Sequence, residues 1–342
     1  MEYGKLQFSG KAFESIDRFL NRSPQNVLAV GVIFKDKSWG CYFSEGISSQ
    51  TRFDIGSISK TFTAQLILKL VDQGEISLDA SVDRYLPLPK GVYPSIRNLL
   101  THTAGYGHLT PWEITLPALL TKRYTRANPY RWADGNAVIR ALSRRNKFKD
   151  HCTYGYSDFS YGVLAVVAER VTGEPFHALL TQLIREDYGL EHTEAYPTAP
   201  RCPVFAGNRE IDPWYWDKTN PYIAGGGVVS TLEDMLQYAK IQIESHLPQV
   251  VQGQQLHAPS FSERSNIGSC LSWHTYKKSN QLWHVGGVGV FRSSMIVNRH
   301  LGYAVVVLGN AKGGKSANVH YIAKLVYSEL KRKHIRLRSA DE

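Results

Sequence analysis

The sequence predicts an α/β fold, an antiparallel β-sheet flanked by helices with a mostly helical region inserted between its early and late strands. Three observations carry that prediction. Strand-like apolar runs occur early, in "NVLAVGVIF" and "SWGCYF", and again late, in "IGSCLSWHTY", "QLWHVGG", "RSSMIVN" and "YAVVVLGN". Helical periodicity brackets them at both ends of the chain. The stretch between them alternates helical segments such as "YGVLAVVAERVTG" with loops rich in proline, glycine and aromatic residues. Residues 1–80 and 241–342 are therefore assigned to one sheet domain and residues 81–240 to a mostly helical region, with a functional site expected in the groove between them.

Each element has its own signal. Phe13, Ile16 and Leu20 fall at helical spacing and predict an N-terminal amphipathic helix. The two early runs are separated only by Lys35, Asp36 and Lys37, so they read as a β-hairpin. From Ser57 to about Gln73 the pattern is helical, and Gly74 stops it. Val319, Ile322, Val326 and Leu330 share one stripe of a final helix. No internal repeat or low-complexity linker interrupts the chain.

Composition narrows the function classes. With 342 residues, 43% hydrophobic and 20% charged, the chain can bury a large core. The formal net charge of +10 does not by itself predict nucleic-acid binding, because the basic residues form no readout motif. Only "LKRKHIRLRS", Leu330 to Ser339, is dense in charge, and it reads as a solvated C-terminal end. No run of eighteen apolar residues occurs, and the N-terminus lacks the build of a secretory signal, so no membrane partner and a cytoplasmic location are expected. Cys41, Cys152, Cys202 and Cys270 are scattered without zinc spacing and read as free thiols. His102 and His108 have no third ligand at sensible spacing, and "GNAKGGKS", Gly309 to Ser316, lacks the phosphate-loop spacing. Neither a metal nor a cofactor is expected.

The chemistry concentrates in "RFDIGSISKTFTAQLIL", where Ser57 and Lys60 stand one helical turn apart and share a face. A serine hydroxyl is a poor nucleophile until a base takes its proton and donors stabilise the oxyanion. A helix N-terminus supplies oriented N–H groups, and Lys60 supplies the amine. Alone, the pair is equally compatible with a helix-capping serine and a solvated lysine.

Its company changes that. "FDIGSISKTFTAQLILKLVDQGEISLDASVDRYLP" resembles the active-site segment of the serine β-lactamase-like superfamily, in the class C branch that also holds penicillin-binding DD-peptidases, D-aminopeptidases and esterases. "IRNLLTHTAGY", "YGYSDFSYGVLAVVAERVTG", "AGGGVVSTLEDMLQYA" and "WHVGGVGVFRSSMIVN" resemble further family segments, in the family's order, from about residue 27 to residue 310. The resemblance implies a β-lactamase/transpeptidase-like fold. It makes Ser57 the acylated nucleophile, Lys60 a group that helps remove its proton, and Tyr156 the partner that shuttles the proton to the leaving group. A lysine cation beside a buried tyrosine is expected to lower its pKa. The oxyanion hole is expected from the backbone N–H groups of Ser57 and Gly287, where glycine lets the substrate carbonyl approach the strand, and Gly286 is expected among the substrate-binding residues.

Three residues depart from the family pattern. Asp158 stands where asparagine is usual, which favours the ammonium form of Lys60 and shifts the base role toward Tyr156. His284 replaces the lysine of true β-lactamases and is expected to offer a cation only below a pKa near its unperturbed value of roughly 6.5. Val285 replaces a hydroxyl that helps hold a substrate carboxylate. Trp214 and Trp216, in "DPWYWDK", either wall the substrate pocket or pack the helical region onto the sheet. Together the motifs imply a serine hydrolase acting on an ester or amide of a small molecule or peptide. An acyltransferase and a non-catalytic penicillin-binding-type receptor remain as alternatives, and oligomeric state is open.

Overall fold

The computed structural model describes residues 8, 10–35, 37–107, 111–120, 128–149, 153–206, 209–258, 266–276, 279–310 and 317–338. Asp36, His108, Cys152, most of "GNAKGGKS" and Ser339 lie outside the described residues.

Eight strands form one antiparallel sheet: β1 (Val27–Phe34), β2 (Lys37–Tyr42), β3 (Leu256–Ala258), β4 (Ile267–Cys270), β5 (His274–Tyr276), β6 (Leu282–Val288), β7 (Phe291–Asn298) and β8 (Tyr303–Asn310). Their order across the sheet is β2-β1-β8-β7-β6-β5-β4-β3. The first hairpin thus docks beside the last strand, with Val27 opposite Asn310 and Phe34 opposite Tyr303. Asn310 closes that seam, because its Oδ1 accepts from the Val27 N–H at 2.9 Å and its Nδ2 donates to the Pro203 carbonyl at 2.9 Å. The run "IGSCLSWHTY" is two strands, β4 and β5, folded back on each other rather than one.

The sheet is covered on both faces, as the continuous apolar run of β8 requires. Ala304, Val306 and Leu308 face one core, and Tyr303, Val305 and Val307 the other. The second core lies under the terminal helices α1 (Gly10–Leu20) and α5 (Ala317–Arg338). In α5 the predicted stripe Val319, Ile322, Val326 and Leu330 is buried. In α1 the stripe turns: Ala12, Ile16 and Phe19, at i, i+4 and i+7, are buried, whereas Phe13 is 53% exposed.

The first core packs α2 (Ser59–Asp72), α3 (Asp158–Thr172) and α4 (Leu232–Glu244) against the other face. The helix predicted from Ser57 begins two residues later. Gly56 adopts φ +53°, and Gly56–Ile58 form a tight 3-10 turn that delivers the chain into α2. Gly74, at φ +79°, reverses the chain after α2. At α3, Ser157 caps the start by accepting from the Ser160 N–H at 3.2 Å, and Gly173, at φ +76°, ends it. Among the described residues no helix is long and apolar enough to cross a membrane.

Candidate active site

From Phe53 to Leu68 every residue is buried except Ser57. The tight turn lifts its hydroxyl out of the core while α2 holds Lys60 beneath it. The Lys60 Nζ lies 3.1 Å from Ser57 Oγ, donates to Asp158 Oδ1 at 2.5 Å and donates to the Gly225 carbonyl at 2.7 Å. Those last two groups only accept, so each claims one N–H of the nitrogen. Its remaining tetrahedral position faces Ser57 Oγ. There it carries an N–H when Lys60 is charged and a lone pair when it is neutral.

Burial pulls Lys60 below its ordinary value of 10.5, and the Asp158 carboxylate pulls it back up by charge and hydrogen bonding. Tyr130 steadies that carboxylate from the other side, its hydroxyl donating to Asp158 Oδ2 at 3.1 Å. Gly225 lies close over both partners, since a Cβ there would stand in ordinary contact with the Lys60 Nζ at 3.5 Å and Asp158 Oδ1 at 3.6 Å.

Tyr156 hydrogen-bonds Ser57, and the Lys60 Nζ sits 4.9 Å from the centre of its ring. The expectation that lysine acidifies this phenol does not hold. Burial drives the Tyr156 pKa well above 10, and the Asp158 charge adds to that, outweighing the Ser57 hydrogen bond. The phenol is held neutral.

The strand β6 runs past this turn. A Cβ on Gly56 would lie 2.5 Å from the Gly287 nitrogen, and one on Gly286 would fall onto the Ile55 carbonyl oxygen and Ser293 Oγ. Glycine at positions 56 and 286 lets β6 and the serine turn meet backbone to backbone. Ser293, opposite Gly286 on β7, fastens the contact by donating to the Ile55 carbonyl at 2.6 Å. His284 lies buried on β6, stacked on His274 with ring centres 5.1 Å apart, and its Nδ1 is 3.0 Å from the Val285 carbonyl. Burial first, then His274 and Lys60, hold its pKa well below 6.5. The expected titration of this imidazole near 6.5 is therefore corrected: it stays neutral. Val285 packs instead against the core under the terminal helices.

The two tryptophans reach the site through Tyr130. Trp216 is buried with its ring centre 6.2 Å from that of Trp214, and both rings lie 6.4 Å from Tyr130, which also stacks on Tyr222 at 4.4 Å. Trp214 also borders the turn that follows β6, since a Cβ on Gly289 would meet its ring at 3.3 Å. Its carbonyl accepts from Arg201, which pairs with buried Asp54 at 3.0 Å. Burial lifts that carboxyl to about 6 despite Arg201.

Ser57, Lys60, Tyr156 and Asp158 thus form one bonded group, with Gly286 and Gly287 beside it. A beta-lactamase family model matches residues 27–328. The chain belongs to the beta-lactamase family. Among its relatives is a beta-lactamase of Providencia stuartii, 29% identical over 207 residues, which make up 58% of this chain and 49% of that relative. The chain thus matches about half the length of that relative. A solved class C beta-lactamase superposes with a TM-score of 0.74 at 16% identity, covering 96% of this chain and 98% of the other. An octameric penicillin-binding protein homologue from Pyrococcus abyssi superposes with a TM-score of 0.75 at 20% identity, covering 94% of this chain and 77% of the other. At these identities the superpositions speak for the fold, which is the β-lactamase/transpeptidase-like one the motifs imply.

Sequence reading missed Tyr130, the Gly225 carbonyl and Ser293. No motif marks Tyr130, which sits in a loop after Asn128-Pro129, and Ser293 is an ordinary polar residue within a strand. Among the described residues, no group of His, Cys, Asp and Glu is arranged to hold a metal ion.

Proposed function

We propose that this protein is a serine hydrolase that forms an acyl-enzyme on Ser57 and prefers neutral or amine-bearing esters and amides. The observation that carries the reading is the arrangement around the Lys60 Nζ, whose free position faces the one exposed group of the buried turn. Neutral Lys60 takes the Ser57 proton as the Oγ–carbon bond forms, and Asp158 and Gly225 stabilise the ammonium produced. The backbone N–H groups of Ser57 and Gly287 receive the oxyanion. As the carbonyl re-forms, the bond to the leaving group breaks and that group takes the phenolic proton of Tyr156, which the Lys60 proton restores. Water then releases the acyl group by the same relay in reverse.

The Asp158→Asn variant reads out the base. Removing the carboxylate leaves burial unopposed, so Lys60 loses its proton at lower pH. The acidic limb of kcat/KM is expected to move down by about 1–3 pH units. A limb that stays in place or moves up would assign the base elsewhere.

Substrate preference follows from charge. The Asp158 side chain is 28% exposed, and neither neutral His284 nor Val285 offers a cation or hydroxyl to a substrate carboxylate. A free acid placed there would sit unpaired beside a negative charge. For a matched free acid and methyl ester, kcat/KM is expected to favour the ester by roughly tenfold or more. Because His284 stays neutral, the preference should persist at about pH 5 as well as about pH 8. A free acid that wins at neutral pH would reverse the assignment toward carboxylate-bearing peptides or β-lactams.

A further inference from the structure

Tyr156 stands on irregular backbone, since residues 153–157 belong to no helix or strand and α3 begins only at Asp158. Something else must fix a side chain whose hydroxyl has to meet Ser57. His102 brackets it. The His102 carbonyl accepts from the Gly155 N–H at 2.8 Å, and its ring Nδ1 accepts from the Ser157 N–H at 3.1 Å, so one residue bonds the backbone on both sides of Tyr156. Its ring also packs on the tyrosine ring, with centres 4.5 Å apart and planes 35° apart.

His102 is itself firmly seated. It is 3% exposed and follows the short helix Ile96–Leu100, which Ser95 and Asn98 close with a reciprocal cap. The flanking Thr101 and Thr103 N–H groups bond the Arg97 and Asn98 carbonyls at 3.0 and 2.9 Å. At His102 the backbone is left-handed, φ +59°, a conformation that costs energy in any residue with a Cβ and is tolerated best by Asn, Asp and His. That backbone turns the carbonyl and the ring toward the same segment. Because Nδ1 accepts, the ring proton resides on Nε2.

Resting on the acyl-enzyme reading above, we propose that His102 is a positioning residue that sets the Tyr156 hydroxyl on Ser57 by gripping the backbone on either side of it. The grip needs three properties at once: tolerance of positive φ, an acceptor at the reach of Nδ1, and a flat face for the phenol ring. Asparagine keeps the first two, since its Oδ1 occupies nearly the place of Nδ1. Glycine keeps only the first.

The test compares the parent, His102→Asn, His102→Gly and Ser57→Ala with p-nitrophenyl butyrate, alongside thermal melting. The glycine variant is expected to lose roughly a hundredfold in kcat with little change in KM, the scale of a displaced catalytic group. The asparagine variant should recover to within about tenfold of the parent, a rescue that bulk packing would not give. A glycine variant with parental kcat, or an asparagine variant as slow as the glycine one, overturns the proposal. If the glycine variant melts too low to assay, the asparagine variant decides alone, and its inactivity counts against. Parental rates in Ser57→Ala would instead remove the acyl-enzyme reading, and the positioning role with it.

Discussion

Replacing Ser57 with alanine is expected to reduce ester turnover to the uncatalysed background, a loss of roughly four or more orders of magnitude. The size follows from Ser57 being the one residue of the segment 53–68 that is not buried. The rest of residues 53–68 is buried, so the hydroxyls of Ser59, Thr61 and Thr63 cannot take over the attack. The Lys60 Nζ, with two N–H groups claimed by Asp158 and Gly225, lies 3.1 Å from Ser57 Oγ, and the neighbouring Tyr156 phenol is held neutral. The fold should survive, because Ser57 is partly exposed and the variant removes only one oxygen. Unchanged melting with lost turnover is the expected pair of results, and turnover retained at parental rates would contradict the assignment.

Gly286→Ala is expected to cost about two to three orders of magnitude in kcat, with a stability loss of roughly 1–3 kcal/mol. The new Cβ would land on the Ile55 carbonyl oxygen and on Ser293 Oγ, and the first of these is backbone that cannot rotate away. Relief requires β6 to withdraw from the serine turn, carrying the Gly287 N–H away from Ser57. Gly287→Ala is the control for this argument, because a Cβ there meets Arg292 at 3.5 Å, an ordinary contact, and leaves the fold in place. Equal activity in Gly286→Ala and the parent would show that the strand's distance from the turn does not limit catalysis.

Much of the fold was legible from the sequence because its signals are local. The apolar run of β8 and the stripe on α5 each report what their own segment buries, and the glycine after α2 marks where that helix stops. The α1 stripe was misjudged by one residue, since on a short helix Phe13 and Ala12 lie on adjoining faces and only packing against the sheet decides which is covered. Ser57, Lys60 and Tyr156 could be singled out because each lies in a motif, and the structure brings their side chains together. The groups that tune them could not be. Tyr130 and Ser293 act across 28 and 238 residues of chain, and such pairings leave no spacing to read. The pKa directions were misread for a related reason. A lysine beside a tyrosine suggests an acidified phenol, but the outcome depends on how completely the fold excludes water, and here burial outweighs the neighbour. His284 was misread in the same way, its titration suppressed by burial and by His274 stacked against it.

An acyl-enzyme route requires a covalent bond to Ser57. Its most direct measurement is intact mass spectrometry of protein quenched in acid during turnover of a slowly deacylated ester, followed by peptide mapping. The expected result is a mass increase equal to the acyl group less one hydrogen, located on the peptide containing Ser57 and absent from the Ser57→Ala variant. An adduct mapped to another residue, or burst-phase product release with no adduct on Ser57, would contradict it.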